Sequence, residues 1–243
     1  MISGLYAQDM MQNKIRFPEG ISLGYGMGNF AVNDEYISKE KYAGSYPLFS
    51  LDWTNRHKKY IYQLGLSYRY SAVIKNQNVS TGIYQFSLNQ GFLYSLMQFH
   101  LFNKNAYWFL GPSTDLFFYY NNQNIAVSGF DYANSYAVLL SLGLKSKIIY
   151  PVSTNLNIES AIDFNVLSFG IRMVDSEETN ESPVKLLSLL TGLKGSFHIG
   201  ARYYLSKRLS AGIGYYFTIT RISAWDALRS ASDNVVVGLT FKF

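Results

Sequence analysis

NVVVGLTFKF, the last ten residues from Asn234 to Phe243, decides how the rest of the chain is read. Val235, Val237, Leu239, Phe241 and Phe243 alternate with Asn234, Val236, Gly238, Thr240 and Lys242. A period of two sends one apolar row to one face of a strand and the remaining residues to the other. Nine further stretches alternate in the same way: 21–32, 46–55, 60–73, 82–99, 106–120, 135–149, 155–169, 190–205 and 209–221. The clearest sets Tyr60, Tyr62, Leu64, Leu66, Tyr68 and Tyr70 against Gln63, Gly65, Ser67 and Arg69. Gly24, Gly26 and Gly28 share the polar face of the first, and glycines inside a strand mark a crowded place where another group approaches. Pro112 predicts a bulge in the fifth. Each stretch reaches the roughly 9 to 11 tilted residues that cross a bilayer.

Composition points the same way. Charged residues are 15% of the chain and aromatic residues 17%, against about 25% charged in an ordinary soluble domain. That is too few charges to coat a soluble barrel. Mean hydropathy near zero, with no apolar run of membrane-helix length, excludes a helical membrane protein. Cysteine is absent, which removes disulfides, thiolate metal sites and cysteine nucleophiles. The net charge of +5 has no basic cluster denser than Arg56-His57-Lys58-Lys59. Positive turns facing anionic lipid or phosphate account for it better than nucleic acid. No phosphate loop, dinucleotide fingerprint or metal-ligand spacing is present, so no cofactor and no metal is expected.

Between the alternating stretches, short connections at 56–59, 103–105, 150–154 and 206–208 interleave with long ones at 33–45, 74–81, 121–134, 172–189 and 222–233. Two loop classes, one at each end of an even set of strands, are the signature of an antiparallel transmembrane barrel. The expected fold is therefore all-β: a single antiparallel up-and-down transmembrane β-barrel of ten strands, residues 21–243. Residues 1–20 are expected to be a remnant of a signal peptide followed by a polar lead-in, from Ile2, Leu5 and the small Ala7 before Gln8.

The terminal strand resembles that of bacterial outer-membrane β-barrels, whose closing phenylalanine is read by the barrel-assembly machinery. The whole chain is similar to the small barrels of Gram-negative bacteria and, from Ala7-Gln8 and the tyrosine-rich strands, to those of the Bacteroidota. The resemblance implies an outer-membrane location with both termini periplasmic, lipopolysaccharide as a neighbour, and Phe241 and Phe243 as the assembly signal.

Ten strands give a narrow lumen that side chains fill. Its face carries Asp52, Arg69, Asp115, Lys145, Glu159, Asp163, Lys194, His198, Arg202 and Lys242. Counted from the short turns, Lys145, Glu159 and Arg202 fall at one height, with Asp163 and His198 one layer further in. The expectation is a lumen closed by a ladder of opposite charges on adjacent strands.

The same residues also carry a chemical reading. Asp163 with His198 is an acid and imidazole of the kind that orients a general base. Ten strands are also similar to the omptin surface proteases, whose Asp and His residues sit at the outer rim. Here the pair falls inside the wall, and His57 and His100 fall at the opposite end. Lipid A deacylase barrels set His and Ser two residues apart on one face; His57 and His100 have no Ser at that spacing, and the Ser196–His198 pair falls inside the lumen. No catalytic residue is expected. Among the outer loops, Asp175, Glu177, Glu178 and Glu181 are an acidic run that suits divalent ions bridging to lipopolysaccharide phosphates. PVKLLSLL (183–190), with Leu186 and Leu187, reads as an apolar loop or short helix offering a contact surface, and Trp225 makes a weaker case. These features favour a non-enzymatic barrel serving as scaffold or subunit of a larger outer-membrane assembly, with other outer-membrane proteins as partners. An omptin-like surface hydrolase and a narrow small-solute pore are the alternatives.

Overall fold

The computed structural model describes residues 16–35, 38–57, 59–75, 80–102, 104–124, 134–174 and 183–243. The strands are β1 (Gly20–Asp34), β2 (Ser38–His57), β3 (Tyr60–Lys75), β4 (Ser80–Leu101), β5 (Lys104–Asn124), β6 (Asn134–Pro151), β7 (Leu156–Val174), β8 (Val184–Ser188), β9 (Gly192–Tyr204), β10 (Leu209–Ile222) and β11 (Leu228–Phe241). Every neighbour pairs antiparallel, β1 pairs with both β2 and β11, and β6 pairs with β7. The sheet therefore closes on itself and has no free edge, the condition for crossing a bilayer with strands.

The barrel has ten staves, because β8 and β9 are two parts of one. Both pair with β7: Ile171 to Leu167 face Val184 to Ser188, and Phe164 to Leu156 face Gly195 to Tyr203. Between them the chain leaves the wall at Leu189–Thr191, in a turn closed by Thr191 N–H on Ser188 O (3.1 Å) and Ser188 N–H on Thr191 Oγ1 (3.0 Å). The stretch 183–190 is thus mostly wall, and neither a loop nor a helix. Val184, Leu186 and Ser188 are exposed and Leu187 is buried, the period-two pattern of a strand.

The long connections are also shorter than their sequences suggest. β1 and β2 stay paired out to Asp34 with Ser38, past a register shift at Asn33. The wall rises above the expected strand ends on β2, β7 and β11 as well. No register shift falls at Pro112, which pairs with Leu144 in an unbroken β5–β6 ladder; the shift in this region is on β4, between Ser95 and Met97, opposite Phe109 and Trp108.

The outward face follows the expected alternation: Leu23, Tyr25, Met27, Phe49, Leu51 and Trp53 are exposed, as are Val235, Val237, Leu239 and Phe241. Aromatic groups ring this face at both ends. Trp53–Tyr62 and Tyr60 with Phe92 and Tyr94 pack near the short turns. Tyr70, Tyr84, Tyr120 and Tyr136 step across four adjacent strands near the long loops, their rings 4.7, 5.7 and 5.6 Å apart. Paired aromatic girdles of this kind sit at the two membrane–water interfaces of a barrel.

Candidate functional site

The lumen is built in three layers. Next to the short turns, Ile61, Leu93, Tyr107, Phe109 and Ile149 point inward and close around Phe17, from the segment before β1. Phe17 meets Tyr107 edge-on with ring centroids 5.0 Å apart, and the Arg56 guanidinium lies 3.4 Å from its ring centroid. The strap is tied across the mouth. Arg16 O accepts from Asn157 Nδ2 (2.7 Å) and Tyr204 OH (3.2 Å), Arg16 Nη1 donates to Ser206 O (3.0 Å), and Glu19 pairs with Lys242.

At the long-loop end, large inward side chains fill the barrel, among them Phe30, Tyr42, Tyr46, Phe117, Tyr119, Leu139, Leu187 and Trp225. Trp225 comes from the β10–β11 connection, and it folds inward until 8% of it remains exposed. Gly170 leaves the room, since a Cβ there would lie 2.9 Å from Leu187, 3.1 Å from Leu139 and 3.2 Å from Trp225. Lys185 holds the connection down, with Nζ donating to Ala224 O at 2.6 Å. Within this apolar layer Asp34 on β1 accepts from Ser135 Oγ on β6 and Arg172 Nη2 on β7, and Arg172 Nη1 donates to Asp226 O at 2.6 Å. One fully buried carboxylate thereby ties opposite walls together across the lumen.

Between the apolar layers lies a polar chamber of about 250 Å³. Glu159 sits on its wall between two cations, 2.9 Å from Lys147 and 2.7 Å from Arg202. Asp163 accepts from Ser113 Oγ at 2.7 Å and has Lys145 at 4.0 Å. Lys194 reaches from β9 to Asp115 on β5 and to Ser87 on β4 (2.8 Å). Arg69 on β3 spans to Thr218 on β10 and also donates to Gln85, both at 3.3 Å. Each ion that leaves water here must recover its solvation from such partners. The interior glycines are where these side chains rest: a Cβ on Gly24 would meet Ser50 Oγ, one on Gly65 would meet Asp52, and one on Gly91 would meet Lys145.

Opposite charges sit side by side on β6, β7 and β9, with two changes of partner from the expected arrangement, whereas Lys194 reaches Asp115 across the lumen and Arg69 meets only neutral groups. Glu159 pairs with Arg202 as expected, but its second cation is Lys147, and Lys145 lies opposite Asp163 instead. β6 runs on through Pro151, opposite Asn157, so the hairpin turns about two residues later than the sequence suggests, and every height on β6 shifts accordingly. Asp163 and His198 do not form a pair. Asp163 lies opposite Ser196 in the register, whereas His198 stacks on Tyr216 with ring centroids 4.1 Å apart and an interplanar angle of 19°. Both apolar layers were missed. Their signal was present in Phe109, Phe117 and Tyr119, which fall on the same face of the fifth stretch as Asp115.

His57 and His100 are exposed at the short-turn end. Leu186 is 69% and Leu190 86% exposed on the outer wall, whereas Leu187 and Trp225 face the lumen and present no outer surface. Asp175, Glu177, Glu178 and Glu181 lie outside the described residues. Phe241 pairs in the wall with both Ile21 and Leu209, and Phe243 projects beyond it. Among the described residues, no group of three or more acidic or histidine side chains is placed to hold a metal ion.

No protein-family model and no curated protein matches the chain. Among solved structures it is similar to the outer membrane protease OmpT from Escherichia coli, with a TM-score of 0.57 and 6% identity over 93% of this chain and 97% of that one. The translocator domain of the autotransporter NalP from Neisseria meningitidis aligns at a TM-score of 0.47 and 11% identity, covering 100% and 95%. Neisserial surface protein A aligns at 0.41 and 12%, covering 93% and 98%. The first of these likenesses establishes the fold, an outer-membrane β-barrel, and at such identity carries nothing of the protease's chemistry.

Proposed function

We propose that this chain is a bacterial outer-membrane barrel, with its short turns and both termini in the periplasm, that works as a non-enzymatic scaffold or subunit of a larger outer-membrane assembly. One observation carries the reading: the lumen is blocked in series by two apolar layers and the cross-barrel ion pairs between them, so no through-path is left and a protein partner meets the outside of the wall. The excursion at Leu189–Thr191 gives that surface a feature of its own. It lifts Leu189 and Leu190 out of the sheet beside Leu186 and makes an apolar knob on the β7–β9 side. Lipid alone needs no such knob, whereas a neighbouring membrane protein packs against one. Phe241 and Phe243 serve the assembly machinery in this reading, and lipopolysaccharide meets the tyrosine girdle and the loops above it.

The histidines weigh against the omptin-like alternative. The chain has three, two at the short-turn end and one in the chamber, which leaves none for the rim where the long loops emerge. The test is gentle extraction from native membranes followed by native-gel sizing and mass spectrometry, with Leu189→Ser/Leu190→Ser beside the parent. Stoichiometric co-migration that the double variant loses supports the subunit reading. Migration of the parent as a lone barrel overturns it.

A further inference from the structure

The chamber is unevenly furnished. Five cations line it, Arg69, Lys145, Lys147, Lys194 and Arg202, against the four carboxylates Asp52, Asp115, Glu159 and Asp163. Arg69 is the cation left over: among the described residues its partners are the neutral acceptors Gln85 and Thr218, and its Nε has none. Asn165, 5% exposed, lines the same chamber with its Nδ2 likewise unpartnered. Among the residues lining the chamber, the acceptor without a donor lies toward the short turns. Gln63 Oε1 has no partner, and in the β2–β3 register Gln63 faces Thr54 and Asp52 faces Gly65, well below Arg69 and Leu48. A buried positive excess with free N–H groups at one end calls for an anion there.

The two closures of this chamber differ in kind. The long-loop layer is held by many side chains from the wall and by the buried Asp34–Arg172 pair. The short-turn layer is completed by Phe17, a single ring on a segment outside the sheet. Withdrawing this stopper breaks the bonds of Arg16 to Asn157, Tyr204 and Ser206 but opens no strand pairing.

We propose that the chamber is a binding compartment for a small anion, seated at the Arg69 end and admitted from the short-turn side when Phe17 leaves its socket. The side is periplasmic only if the orientation proposed above holds, but the site and its stopper do not depend on a scaffold role. The barrel stays closed to through-flow, because the long-loop layer remains in place.

The chain has no cysteine, so a single one reports on the chamber without background. Ser67→Cys places a thiol on the chamber wall, and Ser50→Cys provides a second reporter if the first does not fold. Each is labelled in nanodiscs with an anionic and a cationic methanethiosulfonate reagent of similar size, with and without Phe17→Ala. Heat-modifiable gel mobility confirms the folded barrel. The expected result is labelling accelerated about tenfold by Phe17→Ala, with the anionic reagent about tenfold faster than the cationic one, as the positive excess at the Arg69 end draws in its counter-ion. Inorganic phosphate should slow the anionic reaction saturably, and choline should not. Rates indifferent to Phe17→Ala overturn the stopper, and equal or faster cationic labelling, or no protection by phosphate, overturns the anion site. A lone barrel on native gels would sink the subunit reading and leave these rates untouched.

Discussion

Replacing Glu159 with Gln keeps the size of the side chain and removes the charge that two cations share. Glu159 is 3% exposed, with Lys147 Nζ at 2.9 Å and Arg202 Nε at 2.7 Å. The two cations do not suffer equally. The Lys147 side chain is 6% exposed, whereas Arg202 is 20% exposed and keeps a hydrogen bond to Thr240. Stranding a buried charge costs about 3–5 kcal/mol, and most of that falls on Lys147. Glu159→Gln should therefore destabilise the barrel by about 3 kcal/mol near neutral pH. Urea unfolding in lipid or detergent, followed by heat-modifiable mobility, reads this as a midpoint lowered by about 1 M or more for a slope of 1–3 kcal/mol/M. Adding Lys147→Met removes the stranded charge and should return more than half of the loss. A Glu159→Gln stability within about 0.5 kcal/mol of the parent, or a double variant no better than the single one, would refute the reasoning that the pair is buried and mutually dependent.

Two substitutions probe the long-loop layer. Trp225→Ala empties the space between Leu139, Leu187 and Gly170 and should cost about 3–5 kcal/mol, read as a lower urea midpoint together with faster proteolysis of the β10–β11 connection. Gly170→Val drives branched carbon into the same three side chains and should cost about 1–3 kcal/mol; combined with Trp225→Ala it should cost less than the sum, because the deleted indole makes room.

The wall was legible in the sequence because its signal is local. Leu23, Tyr25 and Met27 against Gly24, Gly26 and Gly28 declare a two-sided strand without reference to any neighbour, and ten such stretches with two loop classes leave little choice of fold. The glycine row was legible too, since those positions do face close neighbours: a Cβ on Gly24 or Gly26 would meet Val236, and one on Gly28 would meet Asp233 and Asn234.

What depends on register was harder to read. Lys145 and Lys147 both face the lumen, and choosing which meets Glu159 requires locating the β6–β7 turn to within two residues. The apolar layers are hidden because an alternating strand shows which residues share a face but not that the lumen-facing row is apolar at both ends. Tyr46, Leu48, Phe117 and Tyr119 point inward beside polar residues on the same face, so the face changes character along its height and not across the strand. Leu187 and Trp225 misled for the same reason: apolar residues between strands suggested an outer surface, and they serve as filling. The β8–β9 stave looks in the sequence like a loop plus a strand because its Leu189–Thr191 turn interrupts the alternation, although pairing with β7 holds on either side.

The claim on which the account rests is that the lumen is blocked, and current across a planar lipid bilayer tests it most directly. The purified, folded barrel should add no steady conductance at either polarity, and Phe17→Ala should remain equally silent, since it opens one closure of two. Reproducible ohmic steps from the parent chain would contradict the account and move the function to that of a pore.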